Sequence, residues 1–142
     1  MGRQCFDFMV QSVYEIPENV MKQVMQNVLR KYRDFTLPAC EPYIEETTGL
    51  EKTYSIPVMV NGPLAGYIGK SMPVLVQLLD WYSGVEADDI AGKGKECDLA
   101  ILAYELCNDI IASLEDAIYQ INNKRIQRNN IKYKVQIYLR IS

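Results

Sequence analysis

The sequence contains no histidine. This absence excludes catalytic triads and dyads that depend on an imidazole, and it removes the side chain that most often titrates near neutral pH. It also removes most of the ligand sets that transition metals use in proteins. Carboxylates, lysine, tyrosine and cysteine remain, so enzymatic activity is disfavoured but stays open.

Cysteine is scarce and dispersed. The four residues, Cys5, Cys40, Cys97 and Cys107, form no C-x-x-C pair, so the sequence predicts no structural zinc site. An even number of cysteines would permit two disulfides. A cytosolic location instead favours free thiols that are mostly buried. We therefore expect neither a metal nor a cofactor.

Long apolar runs are missing as well. No segment approaches the roughly 20 apolar residues that a membrane span needs, and the first residues lack the apolar stretch and cleavage site of a signal peptide. We therefore expect a cytoplasmic protein with no membrane partner. With 142 residues, 49% of them hydrophobic, the chain is large enough to form one domain, residues 1–142, around its own core.

Apolar periodicity divides the chain into strands and helices. The predicted strands are 4–14, 50–60, 63–68 and 131–141, and the predicted helices are 17–34, 71–82 and 95–123. Pro57 predicts that the second strand lies at a sheet edge or contains a bulge. Asn61-Gly62 predicts a hairpin turn, and residues 36–49 are expected to be irregular.

The last strand has the cleanest alternation. One face carries only Ile131, Tyr133, Val135, Ile137, Leu139 and Ile141, and the other carries Lys132, Lys134, Gln136, Tyr138 and Arg140. Such alternation predicts a sheet with one face in water, which favours antiparallel or mixed pairing. We predict an α+β fold, a two-layer sandwich with a mainly antiparallel sheet and helices on one face, in the order β-α-β-β-α-α-β.

Charge is segregated along the chain. Residues 41–116 carry fourteen acidic and four basic side chains, whereas residues 117–142 carry six basic side chains and no acidic one. The whole-chain charge of −3 conceals this division. The division predicts two surfaces of opposite character, although acids near the start of the long helix and bases near its end also suit the helix dipole.

The long helix carries the most informative acidic residues. Asp98, Glu105, Asp109 and Asp116 are spaced by 7, 4 and 7 residues, so they share one narrow stripe at about 100° per residue. We call these four residues the acidic stripe. One interpretation is a solvated edge of an internally packed helix. The other is a surface that binds a basic protein partner.

Two apolar groups lie on the same helix. Leu99, Leu102, Ala103, Leu106, Ile110, Ala117 and Ile121 form the predicted core-facing group. Ile101, Tyr104, Ile111 and Ile118 form a second group beside it. Together they cover more of the helix than packing on one sheet requires. Either other helices cover the second group, or a second copy of the chain does, as in a homo-oligomer.

A short glycine-containing segment lies between a predicted strand and a predicted helix. Gly66, Tyr67, Gly69, Lys70 and Ser71 could hold a phosphate with backbone N–H groups and a lysine. The phosphate-loop motif requires a glycine at position 64, which is Leu64, so the motif is incomplete. A turn with positive φ explains the two glycines equally well.

Two functional hypotheses follow. The first is a small non-enzymatic cytosolic protein, an inhibitor, adaptor or assembly component, that uses its acidic surface for contact with a basic protein or with itself. The alternative is a binding protein for a phosphate-bearing small molecule, such as a nucleotide, at residues 66–71. The basic face of the last strand resembles sheets that bind single-stranded RNA, but the acidic net charge argues against nucleic acid.

Overall fold

The computed structural model describes residues 5–38, 43–48, 51–61, 95–132 and 134–141. Within these ranges the strands are β1 (Cys5–Ser12), β2 (Phe35–Thr36), β3 (Tyr43–Thr48), β4 (Glu51–Val60) and β5 (Val135–Ile141). The helices are α1 (Glu18–Leu29), α2 (Lys95–Ile121) and α3 (Arg128–Ile131). The predicted α+β class is confirmed, and the broad order of strands and helices agrees with the prediction.

All strand pairs in the described residues are antiparallel. β1 lies between β4 and β5, with Phe8 opposite Ile56 on one side and opposite Leu139 on the other. The far edge of β4 is shared by β3 and β2, so the strand order is β2-β4-β1-β5 with β3 also on β4. The strands nearest the two ends of the chain are therefore neighbours.

One face of this sheet forms the core with the helices. Phe6, Phe8 and Val10 of β1 are buried there, and they alternate with half-buried residues. The same cluster contains Tyr54, Ile56, Val58, Val135 and Ile137 from the sheet, Met21, Met25 and Val28 from α1, and Leu106, Ile110, Leu114 and Ile118 from α2. Each fully buried side chain of this size stabilises the fold by about 1.5–3 kcal/mol. The two-layer arrangement follows from this shared core.

Helix α1 begins at Glu18, directly after Pro17. Pro17 is the N-cap, with φ of −57°, and its carbonyl accepts hydrogen bonds from the N–H groups of Val20 and Met21. The helix ends at Leu29, five residues before the predicted end at Asp34. The chain must turn there because Phe35 pairs with Val60 of β4.

The sheet differs from the prediction at two places, an additional strand and the start of the last strand. The stretch 36–49 was expected to be irregular but contains β3, in which β-branched residues such as Thr47 and Thr48 pair with β4. The last strand begins at Val135, because residues 128–131 form the single turn α3, whose Ile131 is still buried. The predicted alternation holds from Lys134 to Tyr138.

Pro57 lies inside β4, which is not an edge strand. On the far edge, pairing with β3 ends at Ser55 and pairing with β2 begins at Met59. Pro57 therefore falls between the two partner strands, where no described residue pairs with it on that edge. Its missing N–H group is tolerated at such a break.

The predicted hairpin strand 63–68 and the predicted helix 71–82 lie outside the described residues. No helix in the described ranges combines the length and the apolar character that crossing a membrane requires.

Candidate functional site: the exposed side of helix α2

Helix α2 packs one side on the core and turns the opposite side to solvent. Its buried residues include Ala103, Leu106, Cys107, Ile110, Leu114 and Ile118. Its exposed residues Glu105, Asn108, Ala112 and Asp116 follow at intervals of 3, 4 and 4, which is the spacing of one helical face. Cys107 and Leu114 are buried although the sequence pattern did not place them in the core-facing group. The buried side of α2 is therefore rotated towards these two residues.

The predicted core-facing group needs one correction. Ile121 was assigned to the core but is 38% exposed, because it is the last residue of α2. Leu102 and Ala117 are half-buried, whereas Ala103, Leu106 and Ile110 are buried as predicted. The acidic residues lie opposite this buried side.

The three acidic-stripe residues with described side chains lie in different environments. Glu105 is exposed, and no described residue forms an ion pair with it. Asp116 is also exposed and forms an ion pair with Arg128 at 3.2 Å. Asp109 is half-buried. The backbone of Asp98 belongs to α2, but its side chain lies outside the described residues.

Asp109 is held by Tyr32, which lies in the turn that follows α1. The Tyr32 hydroxyl donates a hydrogen bond of 2.6 Å to Oδ2 of Asp109. Burial raises the pKa of Tyr32 well above its ordinary range, and the hydrogen bond to Asp109 and the negative charges of Asp109 and Glu105 raise it further. Tyr32 is therefore protonated at neutral pH and acts as a donor. The bond fixes the position of the Asp109 carboxylate between Glu105 and Asp116.

Asp116 is oriented by a second contact at the other end of α2. The Arg128 guanidinium lies 4.0 Å from the centroid of the Tyr119 ring and also bonds to Asp116. This places the start of α3 against the last turns of α2. Both partners of the ion pair are more than half exposed, and exposed pairs contribute about 0–1 kcal/mol, so Asp116 can exchange Arg128 for another cation at little cost.

The predicted oligomer-interface residues are not equally accessible. Ile118 is fully buried within the chain, and Tyr104 and Ile111 are half-buried and pack against the core. The side chain of Ile101 lies outside the described residues. In the described part of the chain, the large hydrophobic residues that are exposed are Ile121 and Tyr138. The interface between copies stays a prediction, and Ile118 has no surface left to contribute to it.

The predicted phosphate-binding residues Gly66, Tyr67, Gly69, Lys70 and Ser71 lie outside the described residues. Their proposed role stays a prediction.

Two other titratable groups are perturbed by burial. Burial raises the pKa of the Cys107 thiol to about 12, and it raises the pKa of Tyr54, whose hydroxyl accepts a 2.7 Å hydrogen bond from the N–H group of Ile16. Both shifts favour the protonated form, which is not the nucleophile. In the described ranges, no group of three or more Cys, Asp or Glu side chains is placed to hold a metal ion.

The role of Tyr32 was missed in the sequence. Tyr32 falls within the predicted helix 17–34, and a tyrosine at helical spacing gives no sign of where its hydroxyl points. Tyr32 and Asp109 are separated by 77 residues, so only the packing of α1 on α2 brings them together. The acidic spacing did place Glu105 and Asp116 on one helical face, and both are exposed; the role of the stripe in binding stays a prediction.

No protein-family model, no curated protein and no solved structure matches this chain.

Proposed function

We propose that this chain acts through protein–protein contact, as an inhibitor, adaptor or assembly component, and that the acidic stripe binds a basic surface of its partner. The observation that carries the proposal is the placement of Glu105, Asp109 and Asp116 on the side of α2 that faces away from the core. Glu105 and Asp116 face solvent and Asp109 is half-buried between them, so the stripe presents negative charge that can steer and bind a cationic partner.

The environments of these residues support an interface role in different ways. Glu105 has no described counter-charge, and Asp116 has a solvent-exposed one that is easily replaced. Asp109 is pre-oriented by Tyr32, which reduces the conformational entropy that binding would otherwise cost. The stripe therefore offers two accessible carboxylates on either side of a fixed one.

The structure determines which residues a clean test should change. Replacing Asp109 would remove the Tyr32 hydrogen bond and would mix a loss of stability with a loss of charge. We therefore choose Glu105→Gln with Asp116→Asn. The matched control is Glu18→Gln with Glu15→Gln, because Glu18 is an exposed helical residue without a described ion pair and Glu15 is an exposed residue paired with Lys52 at 2.9 Å.

The experiment begins with capture from the native host and continues with purified components. Proteins captured by the wild-type chain are identified by mass spectrometry, and each is purified for binding measurements over a salt series. We expect one partner whose affinity falls with salt and falls again in the Glu105→Gln/Asp116→Asn variant, but not in the control. Equal affinity for all three chains would reject the acidic stripe as the contact surface.

The same measurement decides whether the partner is a second copy of this chain. Light scattering on the purified protein gives its oligomeric mass at each salt concentration. A homo-oligomer that depends on the stripe should dissociate in the stripe variant and in high salt. A monomer under every condition would leave only a different protein as the partner.

A further inference from the structure

Three basic residues that follow α2 form an exposed cationic surface. Lys124, Arg125 and Arg128 are all exposed, and we call them the basic end. Arg128 pairs with Asp116 of its own chain at 3.2 Å, whereas Lys124 and Arg125 form no ion pair with any described residue. The positive charge of the basic end therefore exceeds what its described neighbours neutralise.

The turn after α2 brings the basic end towards the exposed side of that helix. Asn123 and Lys124 have left-handed backbone angles, with φ of 55° and 62°, and the N–H group of Lys124 bonds to the carbonyl of Tyr119 at 2.9 Å. Left-handed residues of this kind end a helix. Beyond them the Arg128 guanidinium lies 4.0 Å from the centroid of the Tyr119 ring. Positive charge thus lies at one end of the side of α2 that carries the acidic stripe.

The centre of this exposed side is recessed. Ala112 is exposed, and it lines a cleft of about 230 Å³ together with Asp116 and Arg128. A small side chain at this point allows a second helix to approach closely. Glu105 and Tyr119 each lie seven residues from Ala112, which is about 10.5 Å along the helix axis in opposite directions. A two-fold axis beside Ala112 would therefore place Glu105 of one copy opposite Tyr119 of the other.

Electrostatics decides how two copies of α2 can pair. Parallel helices would place the acidic stripe of one copy beside the acidic stripe of the other, where like charges repel. Antiparallel helices related by a two-fold axis instead place each stripe beside the basic end of the other copy, and every such contact occurs twice. Glu105 then faces Arg128 of the second copy, because Arg128 lies on the Tyr119 ring.

We propose that the basic surface bound by the acidic stripe is the basic end of a second copy of this chain, in a two-fold symmetric dimer with antiparallel α2 helices. This inference rests on the proposed function and names its partner. Unlike the predicted apolar interface, the dimer is held by charged side chains. It should therefore weaken as salt is added, because exposed charges are screened beyond about 8 Å at physiological ionic strength.

The test reverses the charges of each half of the contact in a separate variant. The stripe-reversed variant is Glu105→Lys/Asp116→Lys, and the basic-end variant is Lys124→Glu/Arg125→Glu/Arg128→Glu. Light scattering and sedimentation equilibrium give the dimer Kd at each salt concentration. We expect the wild type to dimerise, and each variant alone to dimerise at least about tenfold more weakly, because like charges then face each other. An equimolar mixture of the two variants should form a heterodimer, in which opposite charges face each other again.

A third variant separates this contact from attraction by net charge. Arg30→Glu/Lys31→Glu/Arg33→Glu changes the net charge as much as the basic-end variant does. Its three residues are exposed and form no ion pair with any described residue. This variant should dimerise like the wild type, and it should bind the stripe-reversed variant more weakly than the basic-end variant does. Urea denaturation checks that every variant is folded.

Four results would overturn the dimer. They are a wild type that stays monomeric at every salt concentration, unchanged dimerisation of either reversed variant, a mixture that associates no more tightly than its components, and equal weakening by the third variant. A monomeric wild type whose basic end binds a labelled single-stranded RNA would assign that surface to a phosphate backbone instead.

Failure of the dimer and failure of the proposed function give different results. A monomeric wild type leaves the proposed function standing, because a different protein can still bind the acidic stripe. The proposed function fails when the stripe variant binds the captured partner as tightly as the wild type does.

Discussion

The hydroxyl of Tyr32 donates a 2.6 Å hydrogen bond to the carboxylate of Asp109, which ties the turn that follows α1 to the middle of α2. Tyr32 also packs edge-on against Phe35, with ring centroids 6.4 Å apart. One tyrosine thus connects both helices to the first residue of β2. The bond holds a carboxylate of the acidic stripe in place, so it links the stability of the helix pair to the geometry of the proposed contact surface.

Removing this hydrogen bond should destabilise the protein measurably. We expect Tyr32→Phe to lower the free energy of unfolding by about 1–2 kcal/mol, because hydrogen bonds to charged groups are among the stronger ones. Urea denaturation measures the change. The matched control is Tyr104→Phe, a half-buried tyrosine whose hydroxyl has no hydrogen bond to a described residue, and it should cost less than about 0.5 kcal/mol.

A double-mutant cycle with Asp109→Asn isolates the pair itself. If the two residues interact as described, the double variant should lose less than the sum of the single losses. Additive losses, or equal losses for Tyr32→Phe and Tyr104→Phe, would contradict the role of this bond.

Tyr54 makes a second hydrogen bond that sequence alone could not reveal. Its side chain is fully buried, and its hydroxyl accepts from the N–H group of Ile16 at 2.7 Å. Tyr54→Phe leaves that buried N–H without a partner, so we expect a loss of about 1–3 kcal/mol in urea denaturation. Tyr138→Phe removes an exposed hydrogen bond to Gln136 and should change stability by less than about 0.5 kcal/mol. Similar small effects for both variants would show that Ile16 finds another acceptor.

Features that depend on a local residue pattern could be predicted from the sequence, whereas features that depend on contacts between distant segments could not. The alternation of β5 was predicted because its apolar residues occupy every second position, and two of them, Val135 and Ile137, are indeed buried. Strand β3 was missed because its stability comes from pairing with β4. The orientation of the acidic stripe followed from helical spacing, whereas the contact between Tyr32 and Asp109 depends on how two distant helices pack.

The raised pKa of Cys107 makes the free energy of unfolding depend on pH above 9. Its pKa is about 12 in the folded chain against an ordinary 9.0, so the folded state holds the proton more tightly than the unfolded state. Its stabilising contribution is complete below pH 9 and decreases as the pH rises from 9 towards 12, by at most about 1.4 kcal/mol per pH unit. The raised pKa values of Tyr32 and Tyr54 act in the same direction at higher pH.

A variant separates the thiol from the tyrosines. In Cys107→Ala, the free energy of unfolding should be lower overall but should decline less steeply between pH 9 and pH 10 than in the wild type. Urea denaturation at each pH measures the slope. Parallel curves for the two proteins over this range would contradict the assigned shift.

The alternative ligand hypothesis has its own test. If residues 66–71 bind a phosphate-bearing molecule, a screen of nucleotides by thermal shift should find one that stabilises the chain. A ligand at 100 times its Kd adds about 2.7 kcal/mol to the free energy of unfolding. Lys70→Ala should remove that gain. A gain that survives Lys70→Ala would refute the site, and a screen without any gain would refute the hypothesis for nucleotides.

The most direct test of the proposed function is the salt dependence of partner affinity in the stripe variant. The purified partner is titrated with the wild-type chain, with Glu105→Gln/Asp116→Asn and with Glu15→Gln/Glu18→Gln at several salt concentrations. We predict that only the stripe variant binds more weakly and with a shallower dependence on salt, because it alone has lost charges that face the partner. Three superimposable salt series would contradict the claim that α2 presents the contact surface.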